Sequence, residues 1–419
     1  MIVIYTPKVT NRIKYTLDFV FLQYFGIDYE LTENPDFTAL SENFLINYSN
    51  QKIKDSFSVF QEDLLLQDNI HPQKIFISDE QDFSVFFQTT EHYDLKFDIF
   101  SCIFYLISRY EEYLPHEKDQ HQRYASSNSI LANKAFRFSP IVEIWLAFLK
   151  REILKIQPNI PFKNQKFEYL PIFDIDNAFQ FRGRNWLKNP PDIFTKTCRN
   201  VLLKKEKDAY DTFDFILEEL NRNKLKSVFF FLMSNDGKQN SNVSPESSLL
   251  HSKILQIADN NMKIGIHPSY FAAEKKQIKP EMDLLQNITN TAITVSRQHF
   301  LKISFPDYFI TLIEAGIKTD YSLAYPDVTG FRAGCSRPFY FFNLIKNEST
   351  TLLLQPTCFM DATFEYYQPE KINIFQSEFL TIFKQLSKIN GKLVAGFHND
   401  LFSRDNYRTN FTFINQHSS

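Results

Sequence analysis

The feature of this sequence that most constrains its fold is the alternation of strand-like and helix-like segments after residue 164. Short runs rich in β-branched and aromatic residues are separated by longer segments with helical periodicity. Strands are predicted at 167–172, 227–233, 263–266, 292–295 and 392–396, and helices near 210–222, 249–260, 306–315 and 378–389. This alternation is typical of a parallel sheet or barrel covered by helices. We therefore predict an α/β fold for this part of the chain.

The first part of the chain has a different pattern. It contains a predicted strand at 2–5, a helix at 12–25, several short strands ending at 83–87, and two strongly apolar helices at 97–114 and 140–156. A polar stretch at 158–164 is the predicted linker. We expect a smaller accessory domain of α and β structure at 1–160, called here the N-terminal unit, followed by a larger α/β domain at 166–419.

The composition excludes several classes of protein. A net charge of -3 over 419 residues is too small to indicate a nucleic acid or a charged membrane surface as partner. The four cysteines are far apart, so neither a disulfide framework nor a thiolate zinc site is predicted. No apolar run approaches the roughly 18 residues that a membrane span needs. We expect a cytoplasmic protein, and the sequence leaves its oligomeric state open.

Two carboxylates follow directly on the strand predicted at 167–172, in Phe173-Asp174-Ile175-Asp176. Side chains alternate along a strand, so both carboxylates are expected on one face. At the carboxyl end of a parallel strand, one carboxylate can hold a cation while its neighbour handles a proton. The alternative is a turn or a helix cap, for which Asn177 is well suited.

Histidines recur at the ends of three later strand-like runs. His267 follows Ile264-Gly265-Ile266, His299 ends Val295-Ser296-Arg297-Gln298-His299, and His398 follows Val394-Ala395-Gly396-Phe397. A single histidine at such a position is usually structural. Since the carboxyl ends of parallel strands meet at one rim, however, the three histidines and the Asp pair are predicted to converge there.

In the order and placement of these motifs, the chain from about residue 167 onward resembles the polysaccharide deacetylases, the NodB-homology enzymes of the carbohydrate esterase type. The resemblance implies a distorted (β/α) barrel for 166–419 and a divalent metal ion as cofactor. It makes Asp174 the general base and Asp176 a metal ligand. It also makes His267 a metal ligand, as the first histidine of the second motif.

The sequence departs from the family pattern at one position. A second histidine normally lies four residues after the first, and this chain has Phe271 there. We therefore hypothesise that His299 supplies the third protein ligand from the neighbouring strand end. A set of two histidines and one aspartate suits zinc or a similar ion.

The resemblance assigns roles to three further residues. Arg297 resembles the arginine that orients the base, His398 resembles the general acid, and Asp320 resembles the carboxylate of the fourth motif, which we expect to hold the ring of His398. Arg332 in Gly330-Phe331-Arg332-Ala333-Gly334 is a further candidate for lining the cleft. The alternatives are arginines that pair with surface carboxylates, an aspartate in a turn and a histidine in the core.

The N-terminal unit is similar to the extra domain that precedes such deacetylases in some bacteria of the Bacteroidetes type. The segment Ser108-Arg109-Tyr110-Glu111-Glu112-Tyr113-Leu114 carries the similarity. Its tyrosines and glutamates could reach a sugar, but the pattern favours a solvated helix end.

The predicted function is the metal-dependent removal of an N-acetyl group from an amino sugar or glycan. One alternative is a catalytically weak or inactive relative that binds glycan or a partner protein, which Phe271 supports. A phosphatase of the haloacid-dehalogenase type also has Asp-x-Asp after a strand, but Ala178 stands where its threonine is expected. A metal-dependent glycosyltransferase would need a nucleotide-binding region, and none is evident.

Overall fold

The N-terminal unit is built on a four-stranded parallel sheet with the order β2-β1-β3-β4. The computed structural model describes residues 1–36, 43–80, 82–133, 136, 139–184 and 195–418. The elements of this unit are β1 (Ile2–Tyr5), α1 (Asn11–Leu17), a π-helical segment (Asp18–Phe25), β2 (Tyr29–Thr32), β3 (Phe44–Tyr48), β4 (Phe57–Val59), β5 (Ser78–Glu80), β6 (Phe83–Val85), α2 (Ile99–Ile107) and α3 (Ile141–Ile156).

Helix α2 is buried along its whole length and links the two parts of the chain. Asp98 caps it by accepting a hydrogen bond from the backbone N–H of Ser101. On the side facing the second part of the chain, the rings of Phe104 and Phe342 lie 5.2 Å apart. One hydrophobic core therefore runs from the N-terminal sheet into the rest of the protein.

The second part of the chain forms a nine-stranded sheet with the order β12-β13-β11-β10-β9-β8-β7-β15-β14. All neighbouring strands in it are parallel except β12 and β13. The elements are β7 (Glu168–Ile175), α4 (Lys196–Leu202), α5 (Phe213–Arg222), β8 (Val228–Phe231), α6 (Ser248–Asp259), β9 (Lys263–Ile266), α7 (Ile278–Thr289), β10 (Val295–Ser296), α8 (Asp307–Ala315), β11 (Thr319–Asp320), β12 (Phe339–Asn343), β13 (Glu348–Leu354), β14 (Phe359–Met360), α9 (Phe375–Lys388), β15 (Lys392–His398) and α10 (Asp405–Ser418).

The sheet has two faces of different character. Phe173 and Ile175 of β7 belong to the large core, whereas Ile172 belongs to a small apolar cluster with residues of β8, β10 and β15. Because side chains alternate, Asp174 and Asp176 share the face of Ile172. The segment after β13 forms hydrogen bonds with both halves of the sheet. The backbone N–H of Thr357 donates to Leu323 O, which follows β11, and that of Cys358 donates to Val394 O of β15. The mixed α/β class is confirmed, and the closed barrel stays a prediction.

Most predicted elements coincide with observed ones, including the strands at 2–5 and 263–266. The β12–β13 hairpin and helices α4, α7 and α10 were not predicted. Among the described residues, no helix combines the length and the apolar character needed to cross a bilayer.

Candidate metal and catalytic site

A cavity of about 420 Å³ lies at the carboxyl ends of the parallel strands. Asp174, Asp176, His267, His299 and His398 all line it. These five residues come from β7, β9, β10 and β15 or from the residues that directly follow these strands. The predicted convergence of the Asp pair and the three histidines is thus observed.

Three of these side chains bring one atom each to a common point. His267 Nε2 lies 3.0 Å from Asp176 Oδ1 and 3.1 Å from His299 Nδ1. His299 Nδ1 is 3.3 Å from Asp176 Oδ1. This set has the geometry of a candidate metal site. Ligands bonded to zinc at about 2.0–2.1 Å are separated by similar distances.

In both histidines, the ring nitrogen that points away from Asp176 determines which nitrogen carries the proton. His267 Nδ1 lies 2.5 Å from the carbonyl oxygen of Arg297, and His299 Nε2 lies 2.6 Å from that of Gln239. Since a carbonyl only accepts, these nitrogens carry the protons, and in the neutral rings the other nitrogens turn lone pairs toward Asp176. Asp176 Oδ1 is buried and accepts no hydrogen bond from the residues that the structure describes. Two lone pairs and an unpaired carboxylate oxygen fit a divalent cation.

The electrostatics of the set also favour positive charge at this point. Burial raises the pKa of Asp176, but the neighbouring His299 and His267 outweigh it and hold the pKa well below its usual range. Burial lowers the pKa of His299, yet the charge of Asp176 and the hydrogen bonds of the ring raise it overall. A proton and a metal ion therefore compete for the same place.

Asp174 lies beside this set and is held by Arg297. Arg297 Nε donates to Asp174 Oδ2 at 2.8 Å, and its Nη1 donates to the carbonyl oxygen of Tyr321 at 2.6 Å. The other carboxylate oxygen, Asp174 Oδ1, is buried, and no donor among the described residues bonds to it. A Cβ added at Gly396 would lie 3.2 Å from Arg297 Nη2, so the backbone of β15 lies close to the guanidinium. The contact between Arg297 and the predicted base is thus present.

His398 faces the Asp pair from the adjacent strand, where it pairs in register with Asp174. Its Nε2 lies 3.8 Å from Asp176 Oδ2 and 3.9 Å from Asp174 Oδ2. Its Nδ1 lies 2.6 Å from Asp361 Oδ1, and its backbone N–H donates to Asp361 Oδ2 at 2.7 Å. Burial lowers the pKa of His398, but Asp361 and the Asp pair raise it to about 10.

Asp361 was missed by the sequence analysis, and the predicted partner of His398, Asp320, is wrong. Asp320 is buried, and its oxygens accept hydrogen bonds from Ser296 Oγ at 2.8 Å and from the backbone N–H of Ser322 at 2.9 Å. It does not line the cavity. The signal for Asp361 is its place directly after the short strand β14.

Two further expectations are corrected. Arg332 does not line the cavity. It is buried, and its Nε and Nη2 donate to Glu112 at 2.9 and 2.6 Å. Glu112 is buried as well, so the expected solvated helix end is wrong, and residues 108–114 do not line the cavity. Phe271 is 39% exposed and does not line the cavity either.

Comparisons with known proteins give the following similarities. Residues 2–158 match a family of unknown function (DUF7033). No curated protein matches the chain. Among solved structures, the chain is similar to a polysaccharide deacetylase from Mycobacterium smegmatis, with 13% identity, a TM-score of 0.41 and coverage of 61% of this chain and 85% of the other.

Two more solved structures are similar to this chain. A polysaccharide deacetylase from Pseudomonas aeruginosa has 11% identity and a TM-score of 0.42, with 60% of this chain and 85% of the other covered. A family 4 carbohydrate esterase pseudoenzyme from Bacillus anthracis has 9% identity and a TM-score of 0.31, with 61% and 62% covered. At such identities, the function of this chain has to be inferred from its own residues.

Proposed function

We propose that this protein is a metal-dependent hydrolase that removes an N-acetyl group from an amino sugar or glycan. The observation that carries the proposal is the meeting of Asp176 Oδ1, His267 Nε2 and His299 Nδ1 within 3.3 Å of one another. Asp174 and His398 flank this point in the same cavity. A cation site between a candidate base and a candidate acid is an arrangement that can hydrolyse an amide.

Asp176, His267 and His299 would hold a divalent cation, and zinc suits this donor set best. When bound, such an ion polarises a carbonyl and lowers the pKa of water toward about 7. The backbone carbonyls of Arg297 and Gln239 keep the two rings in the tautomers that this binding needs.

Asp174 is the general base in this proposal. Asp174 lines the cavity, and its Oδ1 has no hydrogen-bond donor among the described residues, whereas Oδ2 accepts from Arg297 Nε. Arg297 therefore acts as a positioning residue that leaves one oxygen ready to accept a proton. That proton comes from the water whose oxygen forms the new bond to the acyl carbon.

His398 is the general acid. Asp361 holds its Nδ1–H and thereby directs Nε2 toward the cavity. As the bond between the acyl carbon and the nitrogen breaks, the Nε2 proton goes to the departing nitrogen. The products are acetic acid and a free amino sugar. Of the two protons of the attacking water, one goes to Asp174 and the other leaves with the acetic acid, which loses it to solvent as acetate forms. Exchange with solvent then removes the proton from Asp174 and returns one to His398.

The decisive experiment combines metal analysis with acetate release. We expect the purified chain to bind one divalent ion, and Asp174→Asn to keep that ion while losing acetate release from N-acetylated sugars. His92→Ala, an exposed histidine outside the cavity, is the matched control for handling and folding. A chain without metal affinity, or an Asp174→Asn variant with retained turnover, contradicts the proposal.

The replaced family histidine was the feature that favoured an inactive glycan-binding relative. Phe271 does not line the cavity, and His299 brings a third donor atom to the cation position. The donor set is therefore not short of a ligand, which favours the hydrolase.

A further inference from the structure

One wall of the cavity comes from the N-terminal unit. Gln120, His121 and Arg123 line the cavity together with the residues described above. They belong to the polar loop between α2 and α3, and they are the cavity-lining residues that precede β7. The N-terminal unit therefore takes part in the site that the second half of the chain builds.

Arg123 fixes this wall across one side of the cavity. Its Nη1 donates to the carbonyl oxygen of Phe300 at 2.6 Å, and its Nη2 donates to Tyr367 Oη at 2.9 Å. Phe300 follows β10 and Tyr367 follows β14, so the guanidinium joins two loops at the carboxyl ends of different strands. The Arg123 side chain is only 2% exposed. It is thus a structural bridge that closes this side.

The face that the wall turns toward the cavity is polar and nearly neutral. The charge of Arg123 is matched by Asp119, whose Oδ2 accepts from Nε at 2.7 Å. His121 Nδ1 lies 3.0 Å from Tyr270 Oη, and its ring lies 4.9 Å from that of Phe300. Burial and the neighbouring Arg123 lower the pKa of His121, so the ring is neutral at pH 7. An imidazole and the amide of Gln120 can each donate to and accept from sugar hydroxyls.

The N-terminal unit, which carries the wall, is docked on the second part of the chain through buried polar contacts. Arg332 pairs with Glu112 through two hydrogen bonds. Glu143 of α3 accepts from the backbone N–H and the hydroxyl of Ser336 at 2.7 and 2.8 Å. At Gly334, with φ +63°, an added Cβ would lie 2.8 Å from Leu106 Cδ1, so the side chain of Leu106 in α2 packs directly against this backbone.

From this geometry we infer that segment 119–123 restricts the site to an amino sugar at the end of a glycan or to a single sugar. The inference rests on the proposed function. An interior sugar has a neighbour on each side, and its binding needs a cavity with two exits. The bridge from Phe300 through Arg123 to Tyr367 closes one of these sides, so one neighbour has no path.

The experiment uses the full metal-loaded chain and an N-acetylglucosamine pentamer labelled at its reducing end. Total acetate measures activity, and tandem mass spectrometry locates the free amines. We expect release from one terminal sugar at least tenfold faster than from any interior sugar. If interior sugars release acetate as fast as the terminal sugar, the inference is wrong but the proposed function stands. If no N-acetylated sugar releases acetate, the proposed function is wrong and the inference fails with it.

Variants of the wall test whether the wall causes the preference for a terminal sugar. Arg123→Ala removes the bridge, and His121→Ala, at a partly exposed position, opens the wall without removing a buried charge. We expect each to raise the ratio of interior to terminal release at least fivefold, with His92→Ala leaving the ratio unchanged. Thermal unfolding checks that the variants fold. The inference is wrong if both variants fold and both release acetate from interior and terminal sugars in the same ratio as the wild type.

Discussion

His267 Nε2 and His299 Nδ1 lie 3.1 Å apart although 32 residues separate them in the sequence. Each ring donates its other N–H to a main-chain carbonyl, so neither facing nitrogen carries a proton in the neutral state. Two facing lone pairs repel unless a cation or a proton lies between them and the nearby Asp176. Metal binding would therefore relieve a repulsion that the fold itself creates.

Loss of one donor atom should weaken metal binding strongly. For His299→Ala we expect metal affinity to fall by more than about a hundredfold, since removal of outer-shell partners alone costs about 10–100-fold. Phe271→Ala is the matched control, because Phe271 lies four residues after His267 but does not line the cavity. Competition titration with a chromogenic chelator measures both. Equal losses for the two variants would contradict the assignment of His299.

Asp361 should act through His398 and not through the metal. In Asp361→Asn the carboxylate that accepts the Nδ1–H is gone, and we expect kcat to fall by about 10²–10⁴ while metal content stays at the wild-type level. The pKa of His398, followed by NMR of its ring, should fall as well, because Asp361 raises it most. Asp320→Asn serves for comparison. A larger shift of the His398 pKa in that variant would restore the role first predicted for Asp320.

The strand-end positions of the site were predictable because each follows a run of strand-forming residues. Asp176, His267 and His299 could be placed at one rim from sequence order and the geometry of parallel strands. Asp361 could not, since β14 has only two residues and gives no period-2 pattern. Strand β11 also has only two residues and gives no such pattern. The sequence analysis therefore assigned the contact with the His398 ring to Asp320, although Asp361 makes it.

The position of the N-terminal unit could not be predicted either. Pairing of Glu112 with Arg332 joins residues 220 positions apart, and no local pattern reports such a contact. Both residues were taken for surface or cleft residues because charged side chains are rarely fully buried. The helical periodicity of α2 indicated that the helix is buried. It did not indicate that α2 packs against the β12–β13 hairpin, where Phe104 contacts Phe342.

The Glu112–Arg332 pair should contribute strongly to the docking of the N-terminal unit. Glu112→Ala leaves Arg332 and Arg109 buried without their shared carboxylate, and we expect a loss of about 3–5 kcal/mol in the free energy of unfolding. Glu152→Ala removes a pair with an exposed lysine, and its cost should stay below about 1 kcal/mol. Urea unfolding of both variants gives the comparison, and equal costs would show that the buried pair adds nothing.

Glu281 should make the stability depend on pH. It is buried beside Ser269, whose N–H and hydroxyl donate to it, and burial raises its pKa from 4.5 to about 7. The folded state therefore holds this proton more tightly than the unfolded state. The resulting stabilisation is present below about pH 4.5 and is lost as the pH rises through about 7.

Glu281→Gln cannot titrate, and its amide can still bond to Ser269, because Oε1 accepts from the backbone N–H and Nε2 donates to the hydroxyl oxygen. We expect the free energy of unfolding of the wild type, relative to this variant, to fall by up to about 3 kcal/mol between pH 4.5 and pH 8. Urea unfolding of the two proteins at several pH values measures this difference. Parallel pH profiles would mean that Glu281 has the same pKa in the folded and the unfolded chain, because only a pKa that changes on folding makes stability depend on pH.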